Sequence, residues 1–107
     1  MDVLAKLVED YIEESQVDYV GLWQVAAAAR RRFGARTTGE VRKLSLKVVH
    51  RLYKRGLRPG NYWGEDFDYW PDEGCQVVLD RIEREWIKAD ADPNLAEPIC
   101  WFARKRQ

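Results

Sequence analysis

The stretch GNYWGEDFDYWPDEG, residues 60–74, interleaves large rings with carboxylates. Tyr62, Trp63, Phe67, Tyr69 and Trp70 are mixed with Glu65, Asp66, Asp68, Asp72 and Glu73, in a segment too rich in Gly and Pro for a helix. Rings beside carboxylates suit recognition of a basic protein surface. The rings supply buried area, and the acids supply steering and pairing with Arg or Lys. Trp63, Glu65, Asp66, Asp68, Tyr69, Asp72 and Glu73 are therefore the candidate partner-contact residues. The plainer alternative is that the rings are core and the acids keep a sheet edge soluble.

A second cluster has the opposite sign. Arg42, Lys43, Lys47, Arg51, Lys54, Arg55 and Arg58 crowd one predicted helix and its exit. Such residues contact phosphates, and Arg can read guanine, so Arg42, Lys43, Lys47, Arg51 and Lys54 are the nucleic-acid candidates of an alternative reading. The plainer alternative is a solvated face, or one neutralised by acidic helices nearby. Carboxylates at a hairpin tip would be repelled by a phosphate backbone, and a DNA module of this size is usually basic, whereas this chain has zero net charge.

Catalytic sets do not assemble. His50 is the single histidine and lies beside Lys47 and Lys54, which reads as a solvated residue. Cys75 and Cys100 fall in apolar stretches and read as buried structural thiols, too few for a disulfide framework. No phosphate loop or dinucleotide fingerprint occurs, and GLRPG is too short and proline-bound to cradle a phosphate. Glu83 and Glu85 alternate with Arg81 and Arg84 as an ordinary charged helix face. The expectation is a protein that is not an enzyme, with no metal, cofactor or small-molecule substrate.

Stepping along the chain gives the elements that hold these groups. Helices are predicted over 2–15 and over 19–33, the second capped by Asp18 and ended by Gly34. Thr37 and Glu40 have capping-box spacing for a third helix running to about Lys54. A hairpin is predicted over 61–70, turning at Gly64-Glu65-Asp66, and a last helix over 72–89, opened by Pro71 and Asp72. ICWFA, 99–103, is predicted to be a short strand pairing with the hairpin, followed by a basic tail, Arg104, Lys105 and Arg106. The fold class is α+β and mostly helical. It is one domain over 1–107, with a three-helix winged-helix-like core, a small antiparallel hairpin or sheet and a C-terminal helix.

Charge is blocked along this order. Residues 1–20 carry one Lys against six acids; 21–60 carry eleven Lys or Arg against one Glu; 61–107 carry six basic against eleven acidic groups. The blocks either neutralise one another across the fold or present faces of opposite sign. No apolar run approaches the roughly 20 residues of a membrane span. MDVLAKLVEDYIEES has no basic start or apolar core of a secretory signal. A cytoplasmic location with reduced thiols is expected.

LWQV at 22–25, RLYKRGLRPGNY at 51–62, FDYW at 67–70, RIEREW at 81–86 and DPNLAEPICWF at 92–102 resemble a group of short, mostly uncharacterised bacterial proteins, over residues 20–102. That group is similar to immunity proteins encoded beside secreted toxins, including those of contact-dependent growth inhibition. The resemblance implies binding and neutralisation of a cognate toxin C-terminal domain by occlusion. It carries no catalytic motif. Such toxins are often nucleases with basic clefts, which would give the acidic hairpin its role. The alternative is a winged helix-turn-helix DNA-binding regulator.

Overall fold

The computed structural model describes residues 2–105. Its elements are α1 (Val3–Glu14), β1 (Val20–Gly21), α2 (Leu22–Phe33), α3 (Thr38–Lys54), β2 (Leu57–Tyr62), β3 (Phe67–Tyr69), α4 (Cys75–Ala89) and β4 (Trp101–Arg104). The strands form one antiparallel sheet in the order β1-β4-β2-β3. The fold is α+β and mostly helical. Of the expected basic tail, Arg106 lies outside the described residues. Among the described residues no helix is long and apolar enough to cross a membrane.

The helices form where the apolar spacing places them. Leu7, Val8, Tyr11 and Ile12 of α1, Leu22, Val25, Ala26 and Ala29 of α2, and Val41, Val48, Val49 and Leu52 of α3 are buried together. α4 adds Val78, Ile82 and Trp86, the last fully buried. Thr37 caps α3: its Oγ1 accepts from the Glu40 amide and the Glu40 carboxylate accepts from the Thr37 amide, each at 3.1 Å. Gly34 ends α2 in the left-handed conformation at φ 70°, which suits glycine. Residues 34–37 then connect α2 to α3.

Three expectations need correction. The second helix starts at Leu22 and not at 19, because Val20 and Gly21 pair with Phe102 and Trp101 of β4. Asp18 accepts from the adjacent Tyr19 amide at 2.7 Å and does not cap the helix; the Gln24 side chain accepts from Gly21 N instead. The last helix starts at Cys75 and not at 72. Asp72 is held elsewhere, and Gly74 sits at φ 108° just before the first turn. Finally, the hairpin is no free wing. β2 starts at Leu57 and lies between β4 and β3, so the hairpin is one edge of a larger sheet.

Proline in an inner strand is unusual, and Pro59 shows how it is accommodated. Its carbonyl accepts from Trp70 N at 3.0 Å. The return bond of that pair needs an N–H that proline lacks. The β2–β3 ladder accordingly ends at Tyr69.

The register separates the sheet's faces. Val20, Phe102, Pro59 and Leu57 share one face, and Val20, Phe102 and Leu57 join the core. Gly21, Trp101, Gly60 and Tyr69 fall on the other, with Tyr62 and Phe67.

Candidate functional site: the hairpin and the outer sheet face

Trp63 to Asp66 turn the hairpin. Trp63 N donates to Asp66 O at 3.1 Å, and the Tyr62 hydroxyl donates to Gly64 O at 2.6 Å. Gly64 occupies φ 95°, which favours glycine. This turn holds Trp63 with 74% of its surface exposed. Glu65, Asp66 and Asp68 are exposed, and their side chains make no hydrogen bond or ion pair among the described residues; nor does the side chain of Glu73. The tip thus combines an exposed indole with three carboxylates that no described cation neutralises.

The other predicted contact residues are placed differently. Asp72 is committed internally. Its carboxylate accepts from the Tyr53 hydroxyl at 2.6 Å and from Arg58 Nε at 3.2 Å. Both bonds favour the ionised form, so its carboxyl is held below the usual range. Arg58 also lies over the Tyr53 ring, 3.7 Å from its centroid, and donates to the carbonyls of Tyr53 and Leu57. This cluster locks the end of α3 to the start of β2. Tyr69 is half-buried and donates to Arg104 O at 3.0 Å. Trp70 is buried beneath Arg81 of α4, whose guanidinium lies 3.6 Å from a ring centroid. The rings of 60–74 thus have three roles: Trp70 is core, Trp63 is bare, and Tyr62, Phe67 and Tyr69 line the outer sheet face.

That outer face carries a continuous ladder of rings. Trp23 meets Trp101 (6.5 Å between centroids), Trp101 meets Tyr62 (5.6 Å), Tyr62 meets Tyr19 (4.7 Å), Tyr19 meets Phe67 (4.8 Å) and Phe67 meets Tyr69 (4.8 Å). Four of the five contacts are edge-to-face, the arrangement ring quadrupoles favour. All six rings are half-buried. Glycines make room for them. A Cβ on Gly60 would lie 2.5 Å from a Phe67 ring carbon, and one on Gly21 would lie 2.5 Å from the Trp23 indole. Sequence reasoning placed Trp101 in a strand pairing with the hairpin, as the structure has it, but missed Tyr19 and Trp23 beside them. The signal was present in DYVGLW, where Tyr19, Gly21 and Trp23 alternate with Val20 and Leu22 at a strand's period.

The nucleic-acid candidates all lie on the exposed side of α3, but they are not equivalent. Arg51 pairs with Asp2, the N-cap of α1, at 3.5 Å, and its neighbour Arg55 pairs with Glu9. Arg42, Lys43, Lys47 and Lys54 make no ion pair among the described residues. α4 lies alongside the same helix, so Gln76, Leu79 and Glu83 line one groove with Arg42, Lys43 and Lys47.

No convergent catalytic arrangement appears among the described residues, and no three His, Cys, Asp or Glu side chains gather as a metal set would. Both cysteines are free. Cys100 is buried, as expected, and burial pushes its thiol pKa well up. Cys75 departs from expectation: it is only half-buried, at the first turn of α4. No protein-family model, curated protein or solved structure matches the chain.

Proposed function

We propose that this chain is a binding protein that occludes a basic surface on a partner protein with its hairpin tip, and that the partner is a cognate toxin domain. The observation that carries the reading is the tip itself. Trp63 is bare, and Glu65, Asp66 and Asp68 around it have no internal partner. Exposed carboxylates steer association with a basic surface, and a central indole supplies the desolvated anchor around which such interfaces concentrate their energy. Tyr62, Phe67 and Tyr69 of the same hairpin add half-buried apolar area on the outer sheet face, the one opposite to Asp68. Asp72 belongs to the scaffold in this reading, since Tyr53 and Arg58 already occupy it. The toxin class follows from the resemblance to immunity proteins, and a nuclease fits because its cleft is basic. Occlusion requires no cofactor.

A DNA-binding regulator is less well supported. A helix about 10–12 Å across fills a major groove about 12 Å wide by itself. Here α4 stands directly beside α3, and Glu83 shares the groove with its cations.

The test is a growth assay. The C-terminal region of the product of the neighbouring upstream gene is expressed in bacteria with and without this chain. The expected result is toxicity rescued by the chain and lost with the triple variant Glu65→Lys, Asp66→Lys, Asp68→Lys, whose fold is checked by circular dichroism. Rescue by the triple variant equal to that by the parent removes the tip from the interface. A region that is harmless, or that kills regardless of the chain, removes the immunity reading.

A further inference from the structure

The ion pairs of the fold leave several cations of α3 without a partner among the described residues. α1 and its N-cap Asp2 neutralise Arg55 and Arg51, and Asp10 of α1 lies 3.5 Å from Arg32 of α2. Nothing among the described residues neutralises Arg42, Lys43 or Lys47. These three, Arg42 and Lys43 from one turn of α3 and Lys47 from the next, line the groove shared with α4, a hollow of about 610 Å³. Its lining is not uniformly polar. Leu46 of α3 and Leu79 of α4, both half-buried against the core, face it from opposite sides. Gly39 lies at one end and His50 at the other. From residue 39 to 50 the α3 wall runs three turns, about 16 Å at 1.5 Å per residue.

An apolar floor between two helices, rimmed by cations on one side, is the complement of one kind of ligand. We infer that the α3–α4 groove is a docking site for an acidic amphipathic helix of a partner protein. Two or three turns of such a helix would lay apolar side chains at i, i+3 or i+4 onto Leu46 and Leu79. Its carboxylates, on the α3 side, would meet Arg42, Lys43 and Lys47. Charge complementarity chooses this occupant over the nearest competitors. A phosphate backbone would cover two leucines with nothing apolar in return, and would face Glu83 on the α4 wall. The chain's own acidic helix cannot serve from a second copy, because its apolar face, Leu7, Val8, Tyr11 and Ile12, is buried and Glu9 and Asp10 are paired. The groove is opposite in sign to the hairpin tip, so it is a second interface and does not depend on the tip's proposed function.

The experiment uses the full chain and a fluorescein-labelled synthetic helix of about 14 residues, Leu on one face at i, i+3, i+4 and i+7, with Glu and Ala elsewhere. Fluorescence anisotropy is read at about 50 mM and about 300 mM salt. The expected result is saturable binding that weakens with salt, and that weakens at least about tenfold when Lys43→Glu and Lys47→Glu turn two attractions into repulsions. Leu79→Gln, or Leu46→Gln should Leu79→Gln lower the thermal midpoint, weakens it through the floor. Glu65→Lys with Asp66→Lys leaves it within about twofold, which separates this site from the tip. Equal affinity for a scrambled peptide of the same composition overturns the inference. So does tighter binding of a random-sequence DNA duplex, which makes the groove a nucleic-acid site. Salt-sensitive self-association abolished by either charge reversal overturns it as well, since the occupant is then the hairpin of a second copy.

Discussion

Replacing Gly60 with Ala adds one methyl group at the centre of the sheet. Gly60 pairs with Tyr69 on one side and Trp101 on the other. The new carbon would lie 2.5 Å from Asp68 O, 2.5 Å from Phe67 Cε1 and 3.0 Å from the Asp68 carbonyl carbon. Carbon atoms pack favourably at about 3.5–4.0 Å, so the ring and the strand must each retreat by about 1 Å. The ring can rotate away, but the carbonyl belongs to β3 and is fixed by the ladder. Overpacking costs about 1–3 kcal/mol, and a backbone obstacle places this case at about 2–3 kcal/mol. For a domain of this size that lowers the thermal midpoint by about 10–20 °C. Gly39→Ala is the matched control. Only Thr37 Oγ1, at 3.9 Å, would lie near its new carbon, and the site is in the first turn of α3. The same substitution there stabilises by about 0.5–1 kcal/mol. Thermal melts followed by near-ultraviolet circular dichroism report both the midpoint and the ring ladder. Adding Phe67→Ala to Gly60→Ala removes the ring clash but leaves the carbonyl clash, so the two costs are not additive. A Gly60→Ala midpoint within about 2 °C of the parent, with an unchanged aromatic signal, refutes the packing of Phe67 over Gly60.

Three further substitutions test the core and its charges. Ser45 is fully buried on α3 and its hydroxyl has no hydrogen-bond partner among the described residues, so Ser45→Ala stabilises by about 1 kcal/mol, read as a shifted urea midpoint at constant slope. Tyr11 donates to Gln24 O, and burial, followed by the nearby Glu14 charge, raises its pKa from 10.0 to about 12. Folding therefore prefers the neutral phenol: this contribution is complete below pH 10 and is lost as pH rises from 10 to about 12, by up to about 2–3 kcal/mol. Urea titrations at both ends of that window show a steeper loss in the parent than in Tyr11→Phe. Asp72 has a depressed pKa, so its contribution is present above the unfolded value near 3.8 and fades as pH falls through the lower folded value. Asp72→Asn destabilises at pH 7 by about 1 kcal/mol and flattens the acid limb of the stability curve.

What was legible in the sequence was local, and what was hidden was paired at a distance. The α3 start is written in Thr37 and Glu40, three residues apart, and the structure uses both groups as that spacing demands. Gly34 and Gly56 mark the ends of α2 and α3 for equally local reasons. β1 could not be fixed this way, because two residues become a strand only when Phe102 and Trp101 arrive from the far end of the chain. The same holds for Asp72. Beside Pro71 it looks like a helix start, but Tyr53 and Arg58 claim its carboxylate. In the hairpin, alternation sets Asp68 on the opposite face from Phe67 and Tyr69 and suggests rings inside and acids outside, but the register puts those two rings on the outer face. Alternation could not show that those two rings lie on the face away from the helices, which depends on the strand order.

The charge blocks are resolved by the same pairings, and unevenly. Asp2, Glu9 and Asp10 meet Arg51, Arg55 and Arg32; Asp92 meets Arg30 at 2.7 Å; Asp72 meets Arg58. Each exposed pair adds about 0–1 kcal/mol, so their effect on stability is small. Their larger consequence is selection. A chain of zero net charge could have buried its polarity in internal pairs, with nothing left to attract a partner. Here Glu65, Asp66 and Asp68 remain at the tip, and Arg42, Lys43 and Lys47 remain in the α3–α4 groove. Each group has apolar surface beside it, Trp63 for the first and Leu46 and Leu79 for the second. Unpaired charge beside half-covered apolar area has little use within a monomer, because the charge keeps its hydration while the apolar surface stays wet. Against a partner of opposite sign both terms turn favourable together. That is why the leftover charges, and not the conspicuous blocks of the sequence, are the places to look for binding.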